Sequence, residues 1–83
     1  MDEPANLIVN LESVVFIDST GLATLVHGVK HCRQRGGDLH LCGLQKPVRT
    51  IFELTRLDNV FKIFSIEADA IAAFGTADAE PAS

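Results

Sequence analysis

Three consecutive residues could cap a helix, bind an anion or act as a nucleophile: Asp18, Ser19 and Thr20. An apolar run at residues 14–17 precedes them, and Gly21 follows, after which apolar residues recur at helical spacing. Carboxylate and hydroxyl groups at the start of a helix accept hydrogen bonds from the unpaired N–H groups of its first turn. One such cap suffices for a helix, so we expect at least one hydroxyl to remain free at an end that attracts anions.

The residue types leave three roles open for this stretch. The three side chains could serve only as caps, or the helix start could bind an anion or carry a phosphate on the serine. A nucleophilic serine is a third role, but it requires an adjacent base, and His27 lies about two helical turns away. Enzyme chemistry has the least support of the three, so we predict that the chain is not an enzyme.

Composition and charge narrow the class of protein. The chain has 83 residues, of which 47% are hydrophobic and 22% charged, as in an ordinary soluble domain. The 11 acidic residues outnumber the 7 basic ones, which argues against nucleic acid as the main partner. No apolar run approaches the roughly 20 residues that cross a bilayer, and the sequence starts with acidic residues. We therefore predict a cytoplasmic protein with no membrane partner.

Strand and helix patterns alternate along the chain. Residues 6–11 predict a buried strand, and a helix follows, which Gly36 and Gly37 end. Residues 38–44 predict a second strand, and Pro47 opens a second helix. A third short strand and a last helix are predicted over residues 60–64 and 67–74. The apolar stripe of the first helix consists of Leu22, Leu25, Val26, Val29 and Cys32.

This alternation predicts an α/β fold. Parallel neighbouring strands need a crossover, which is normally a right-handed helix, so the chain should form a parallel sheet built as β-α-β-α-β-α with helices packed on it. Residues 1–74 would form the domain and residues 75–83 a disordered tail. Functional groups in such sheets gather after the carboxyl ends of strands, which is where residues 18–20 lie.

Other candidate residues have simpler explanations. His27 and His31 stand one helical turn apart, a spacing that can chelate zinc, but further ligands at suitable spacing are lacking, so we predict surface histidines and no metal site.

Cys32 and Cys42 form no C-x-x-C pair and are expected to be reduced and buried. No cofactor is predicted, because no glycine-rich phosphate-binding motif occurs. The aromatic residues expected in the core are Phe52, Phe61, Phe64 and Phe74.

Three motifs together resemble the STAS domain of bacterial anti-sigma factor antagonists. They are the D-S-T-G-L signature at residues 18–22, the double glycine before the second strand, and the L-x-x-x-V-x-x-x-F-E-L-T segment at residues 44–55. The resemblance is unbroken over about two thirds of the chain, from residue 9 to residue 64. It implies a STAS-like sheet that lacks the N-terminal hairpin and first helix with which members of this family usually begin.

The resemblance also implies a function. In that family the serine directly after the aspartate is phosphorylated by the anti-sigma factor, which is an ATP-dependent serine kinase. Ser19 would be the acceptor, and Asp18, Thr20, Gly21 and Leu22 would bind the partner. The unphosphorylated domain would bind the anti-sigma factor and so release a sigma factor. Phosphorylation of Ser19 would dissociate that complex. A serine phosphatase would remove the phosphate and so restore binding.

Two alternatives stay open at this point. The domain could be a constitutive scaffold or accessory subunit of a transport or stress-signalling complex that docks without phosphorylation. The chain could also be a truncated form, or a short variant whose exposed sheet edge is covered by a partner or by a second copy in a homodimer.

Overall fold

The computed structural model describes residues 5–79, and the side chains of residues 5–74. The described strands form one parallel sheet in the order β1-β2-β3, so the predicted α/β class and β-α-β-α-β-α order are confirmed. The elements are β1 (Leu7–Asn10), α1 (Ser19–Gln34), β2 (Leu39–Cys42), α2 (Lys46–Leu54), a 3-10 turn (Leu57–Asn59), β3 (Lys62–Phe64) and α3 (Glu67–Ala79).

The central strand β2 separates two layers of helices. Its four residues are all buried, and they alternate between the two faces of the sheet. Leu39 and Leu41 belong to the main hydrophobic core, which includes Val29 of α1 and Phe52 of α2. His40 lies on the opposite face, where its Nδ1 is 3.0 Å from the carbonyl oxygen of Ala70 in α3. The face with α1 and α2 therefore holds the main core, and α3 covers the other face.

The predicted phenylalanine core divides between these two faces. Phe52 and Phe61 pack edge to face in the main core, with ring centroids 5.7 Å apart. Phe64 and Phe74 flank His40 on the α3 side, and Phe74 stacks flat on the imidazole at 3.7 Å. A histidine held in this way is a packed and hydrogen-bonded core residue, which strand periodicity alone does not indicate.

Two glycines end α1, as the sequence predicts. The N–H of Gly36 donates to the carbonyl of Arg33 at 3.1 Å, and the N–H of Gly37 donates to that of Cys32 at 2.8 Å. This pair of bonds requires a left-handed residue, and Gly36 has φ +84. A Cβ at Gly37 would collide with the carbonyl of Ala5, so this position also needs glycine for the approach of the chain that enters β1.

The structure corrects the predicted third strand and lengthens the last helix. β3 begins at Lys62 instead of residue 60, because the N–H groups of Val60 and Phe61 donate to the carbonyl of Leu57 at 2.9 and 3.2 Å and keep the chain turned. Helix α3 runs to Ala79 instead of residue 74, and its alanine-rich sequence favours this extension. Of the predicted tail, residues 80–83 lie outside the described residues, so their disorder stays a prediction.

Candidate functional site

Asp18 caps the first turn of α1. Its backbone is extended, its Oδ1 accepts the N–H of Gly21 at 2.9 Å, and its carbonyl accepts the N–H of Leu22 at 3.0 Å. These two bonds are those that an N-cap residue makes. The capping role that the sequence could assign to any of three side chains is therefore taken by Asp18 alone.

Ser19 is the first residue of the helix, and its side chain is exposed. Its hydroxyl has no hydrogen-bond partner among the residues that the structure describes. The backbone N–H groups of Ser19 and Thr20 likewise have no acceptor there, which is usual for the first turn of a helix. An oxygen group attached to Ser19 would stand at the positive end of the helix dipole.

Thr20, Gly21 and Leu22 differ in their access to solvent. Thr20 is exposed, and its backbone carbonyl accepts the hydroxyl of Thr24 at 3.0 Å. The Thr20 hydroxyl itself has no hydrogen-bond partner among the described residues. Gly21 is half-buried, and a Cβ there would come within 2.9 Å of Ile17 Cγ1. Of the predicted partner-binding residues, Asp18 and Thr20 present side chains to solvent. Gly21 instead lies close to Ile17 of the preceding loop, and Leu22 packs against the main core.

An apolar pair lies directly before this helix start. In the loop between β1 and α1, Val14 and Ile17 pack against the main core, whereas Val15 and Phe16 are 65% and 69% exposed. Sequence reasoning treated residues 14–17 as one apolar run and missed this division. Phe16 and Val15 stand two and three positions before Asp18, so this loop places an exposed apolar surface next to the start of α1.

The helix start does not show the geometry of a nucleophilic serine. Ser19 makes no hydrogen bond to a histidine within residues 5–79, and His27 and His31 are exposed residues further along α1. In the same range no three histidine, cysteine or acidic side chains group together in a way that could hold a metal ion. None of the described helices is long and apolar enough to cross a membrane. The free N–H groups of the first turn would favour an anion, and no histidine or carboxylate accepts a hydrogen bond from the Ser19 hydroxyl among the described residues.

Comparison with known proteins connects this geometry to a family. The sequence model of the STAS domain matches residues 1–70. The chain belongs to the STAS domain family. The resemblance carried by the D-S-T-G-L signature is thereby confirmed, and the helix start described above is the STAS segment that contains this signature.

Several curated relatives of this STAS chain are named as antagonists of anti-sigma factors. An anti-sigma-B factor antagonist of Listeria monocytogenes is 36% identical over 63 residues, which are 76% of this chain and 55% of the relative. An anti-sigma F factor antagonist of Paenibacillus polymyxa is 26% identical over 66 residues, which are 80% of this chain and 56% of the relative. The chain thus spans little more than half the length of these curated relatives.

A solved structure has the same fold. The anti-sigma-factor antagonist (STAS) domain protein of Planctomyces limnophilus superposes with a TM-score of 0.84 at 25% identity. The match covers 90% of this chain and 65% of that one. The parallel sheet with its helices is therefore a STAS fold.

Proposed function

We propose that this STAS domain acts as an anti-sigma factor antagonist whose binding is switched by phosphorylation of Ser19. The observation that carries the proposal is the exposed Ser19 hydroxyl, free of any partner in the described residues, at the first turn of α1 directly after the capping aspartate. The names of the relatives from Listeria and Paenibacillus support the role of antagonist. The partners would be an anti-sigma factor with serine kinase activity and a serine phosphatase.

A phosphate on Ser19 should leave the fold intact. It adds about −1.5 to −2 charges, and the helix dipole and the free N–H groups of Ser19 and Thr20 favour negative charge at this end. The cap would be preserved as well, since Asp18 bonds Gly21 through its own carboxylate. The change would therefore act on the surface and not on the helix.

The same phosphate should weaken a docked complex. Val15 and Phe16 offer an apolar contact next to Ser19, and a partner that covers them would also cover the start of α1. Burying a doubly charged group beside the Asp18 carboxylate costs several kcal/mol unless the partner supplies cations. Because 1.4 kcal/mol corresponds to a tenfold change in affinity, this cost is enough for a switch.

A phosphorylation assay tests the assignment of the acceptor. The protein is incubated with ATP and the anti-sigma factor kinase of the same organism, and peptides are mapped by tandem mass spectrometry. We expect one phosphate, on Ser19, which Ser19→Ala abolishes. Thr20→Val is the matched control, because it removes the neighbouring exposed hydroxyl and should leave the phosphate in place. A phosphate found on Thr20 in place of Ser19 would overturn the assignment.

A binding measurement tests the switch itself. Ser19→Ala should bind the anti-sigma factor as the unmodified protein does, while Ser19→Asp should bind at least about tenfold more weakly, with unchanged circular dichroism. Equal affinities of two folded variants would refute the electrostatic switch. Tight binding by a chain that no kinase modifies would instead favour the constitutive scaffold.

A further inference from the structure

The segment that leads to Ser19 has few main-chain hydrogen bonds of its own. In the loop between β1 and α1, the N–H of Val14 donates to the carbonyl of Leu11 at 3.0 Å and closes a turn. Between this turn and Asp18, the main chain of residues 15–17 makes no hydrogen bond with the described part of the chain. The orientation of the exposed segment therefore depends on what holds the turn at its start and the cap at its end.

Two side chains hold the turn at the main chain of Glu12. The Oδ1 of Asn10 accepts the N–H of Glu12 at 2.8 Å, and the Nε2 of Gln45 donates to the carbonyl oxygen of Glu12. Gln45 directly precedes α2 and lies 33 positions from Glu12 along the chain. Together these two bonds form the Glu12 clamp, and one of them is a tertiary contact.

Helix α3 orients the Asn10 carboxamide for this clamp. The Nδ2 of Asn10 donates to Oε1 of Glu67, the first residue of α3, at 3.0 Å. An ionised carboxylate only accepts hydrogen bonds, so it selects the Nδ2 side of the amide and leaves Oδ1 for the N–H of Glu12. A Cβ at Gly43 would collide with Cγ of Glu12 and come within 3.4 Å of Asn10 Oδ1, so the loop after β2 closes against the same clamp.

Gln45 holds the loop and leaves its own helix uncapped. It occupies the N-cap position of α2, yet its side chain makes no cap hydrogen bond. The N–H of Val48, which a cap at this position would satisfy, has no acceptor among the described residues. Serine, aspartate and asparagine are preferred at N-caps because their short side chains reach the first turn. The glutamine therefore stabilises the loop contact and not the start of α2.

We propose that Asn10 and Gln45 are positioning residues, which fix the loop in the orientation that presents Phe16 and Ser19 to the anti-sigma factor. This inference rests on the proposed function and adds to it a preorganised docking surface. A loop that is already ordered loses less conformational freedom on binding, so its complex is tighter. Each clamp bond should contribute about twofold to tenfold to the affinity, the range of a net hydrogen bond.

Gln45→Ser separates positioning from stability. Serine removes the donor to Glu12 and supplies a cap for the N–H of Val48, so the urea midpoint should not fall. The affinity for the anti-sigma factor, measured by isothermal titration calorimetry, should fall at least about threefold. Thr50→Val is the matched control, because it removes another exposed side-chain bond to a main-chain carbonyl, that of Lys46, and should leave the affinity unchanged. Unchanged affinity in folded Gln45→Ser would overturn the proposal.

An exchanged pair of side chains tests Asn10. Asn10→Ala removes the acceptor of the Glu12 N–H and should weaken binding about as much as Gln45→Ser does. Asn10→Asp combined with Glu67→Gln keeps both bonds with the carboxylate and the amide exchanged, so it should bind as the parent does. An exchanged pair that binds as weakly as Asn10→Ala would count against the clamp.

Amide hydrogen exchange tests the loop without any partner. In Asn10→Ala and in Gln45→Ser, the N–H of Val14, which bonds to Leu11 and to neither clamp side chain, should exchange at least about threefold faster. The N–H of Leu22 at the α1 cap should not change. Unchanged exchange at Val14 would overturn the positioning role. Faster exchange at Val14, with a parent protein that does not bind the anti-sigma factor, would support the clamp and refute the proposed function.

Discussion

Asp18 and Ser19 are adjacent, and the structure gives them separate tasks. Asp18 bonds the first turn of α1, so its carboxylate belongs to the stability of the helix. The side chain of Ser19 makes no hydrogen bond within the described residues, so its hydroxyl is available for modification at little cost to the fold. A phosphorylation site placed on the capping residue itself would lose the cap each time it was modified.

Removing the cap should affect stability, whereas removing the hydroxyl should not. Asp18→Ala is expected to lower the free energy of unfolding by about 1 kcal/mol, because the N–H of Gly21 loses its acceptor. Ser19→Ala is the matched control and should stay within about 0.5 kcal/mol of the parent protein. Urea denaturation followed by circular dichroism measures both. Equal losses in the two variants would contradict the division of roles.

At the scale of elements, the junction after α2 stores backbone strain. Arg56 has φ 64, and it is the one residue other than glycine with positive φ among those described. It follows the C-cap Thr55 of α2, and its carbonyl accepts the N–H of Asn59 at 3.3 Å, which starts the 3-10 turn. The left-handed conformation reverses the chain between α2 and β3, and it costs an L-residue about 1–2 kcal/mol.

Glycine at this junction should stabilise the protein. Arg56→Gly relieves the strain, and the greater freedom of glycine in the unfolded chain offsets about 0.4–1 kcal/mol of that gain. We expect the free energy of unfolding to rise by about 0.5–1 kcal/mol. Arg49→Gly places the same substitution inside α2 and should lower it by about 1 kcal/mol. Urea denaturation gives both values, and a loss at both positions would argue against strain at Arg56.

At the scale of the whole molecule, the two buried thiols occupy different layers. Cys32 lies in the main core and Cys42 on the opposite face of β2, and both are free. Burial raises the pKa of the Cys32 thiol, and the Asp38 carboxylate raises it further. Burial also raises the pKa of the Cys42 thiol, with smaller contributions from Glu67 and Glu12. Both thiols are therefore kept protonated and unreactive in the folded protein.

These raised pKa values predict a loss of stability in alkali. The unfolded thiols ionise near pH 9, while the folded ones retain their protons, so the unfolded state gains stability as the pH rises. The stabilising contribution is complete below about pH 9 and declines above it. Urea denaturation at neutral pH and at about pH 10 should show the fall. The fall should be shallower in a variant with Cys32→Ala and Cys42→Ala, and an equally steep fall there would exclude the thiols as its cause.

Local patterns in the sequence were enough for the order of elements. The apolar stripe from Leu22 to Cys32 and the glycines that end α1 reflect the conformation of neighbouring residues, so local sequence patterns reveal them. The same holds for the helix start at residues 18–20. It was the D-S-T-G-L resemblance that singled out Ser19 among the three polar residues.

Only the tertiary structure decided which apolar and polar groups are covered, because that depends on residues remote in sequence. Val15 and Phe16 are as apolar as their neighbours Val14 and Ile17, which pack against the core, yet they face solvent. His40 is buried only because α3 returns over β2 and places Ala70 and Phe74 against it. Leu7 and Leu39 share a face of the sheet, but only Leu39 has helices above it, since β1 is an edge strand. Periodicity fixes the direction of a side chain, and the packing of distant elements fixes what lies above it.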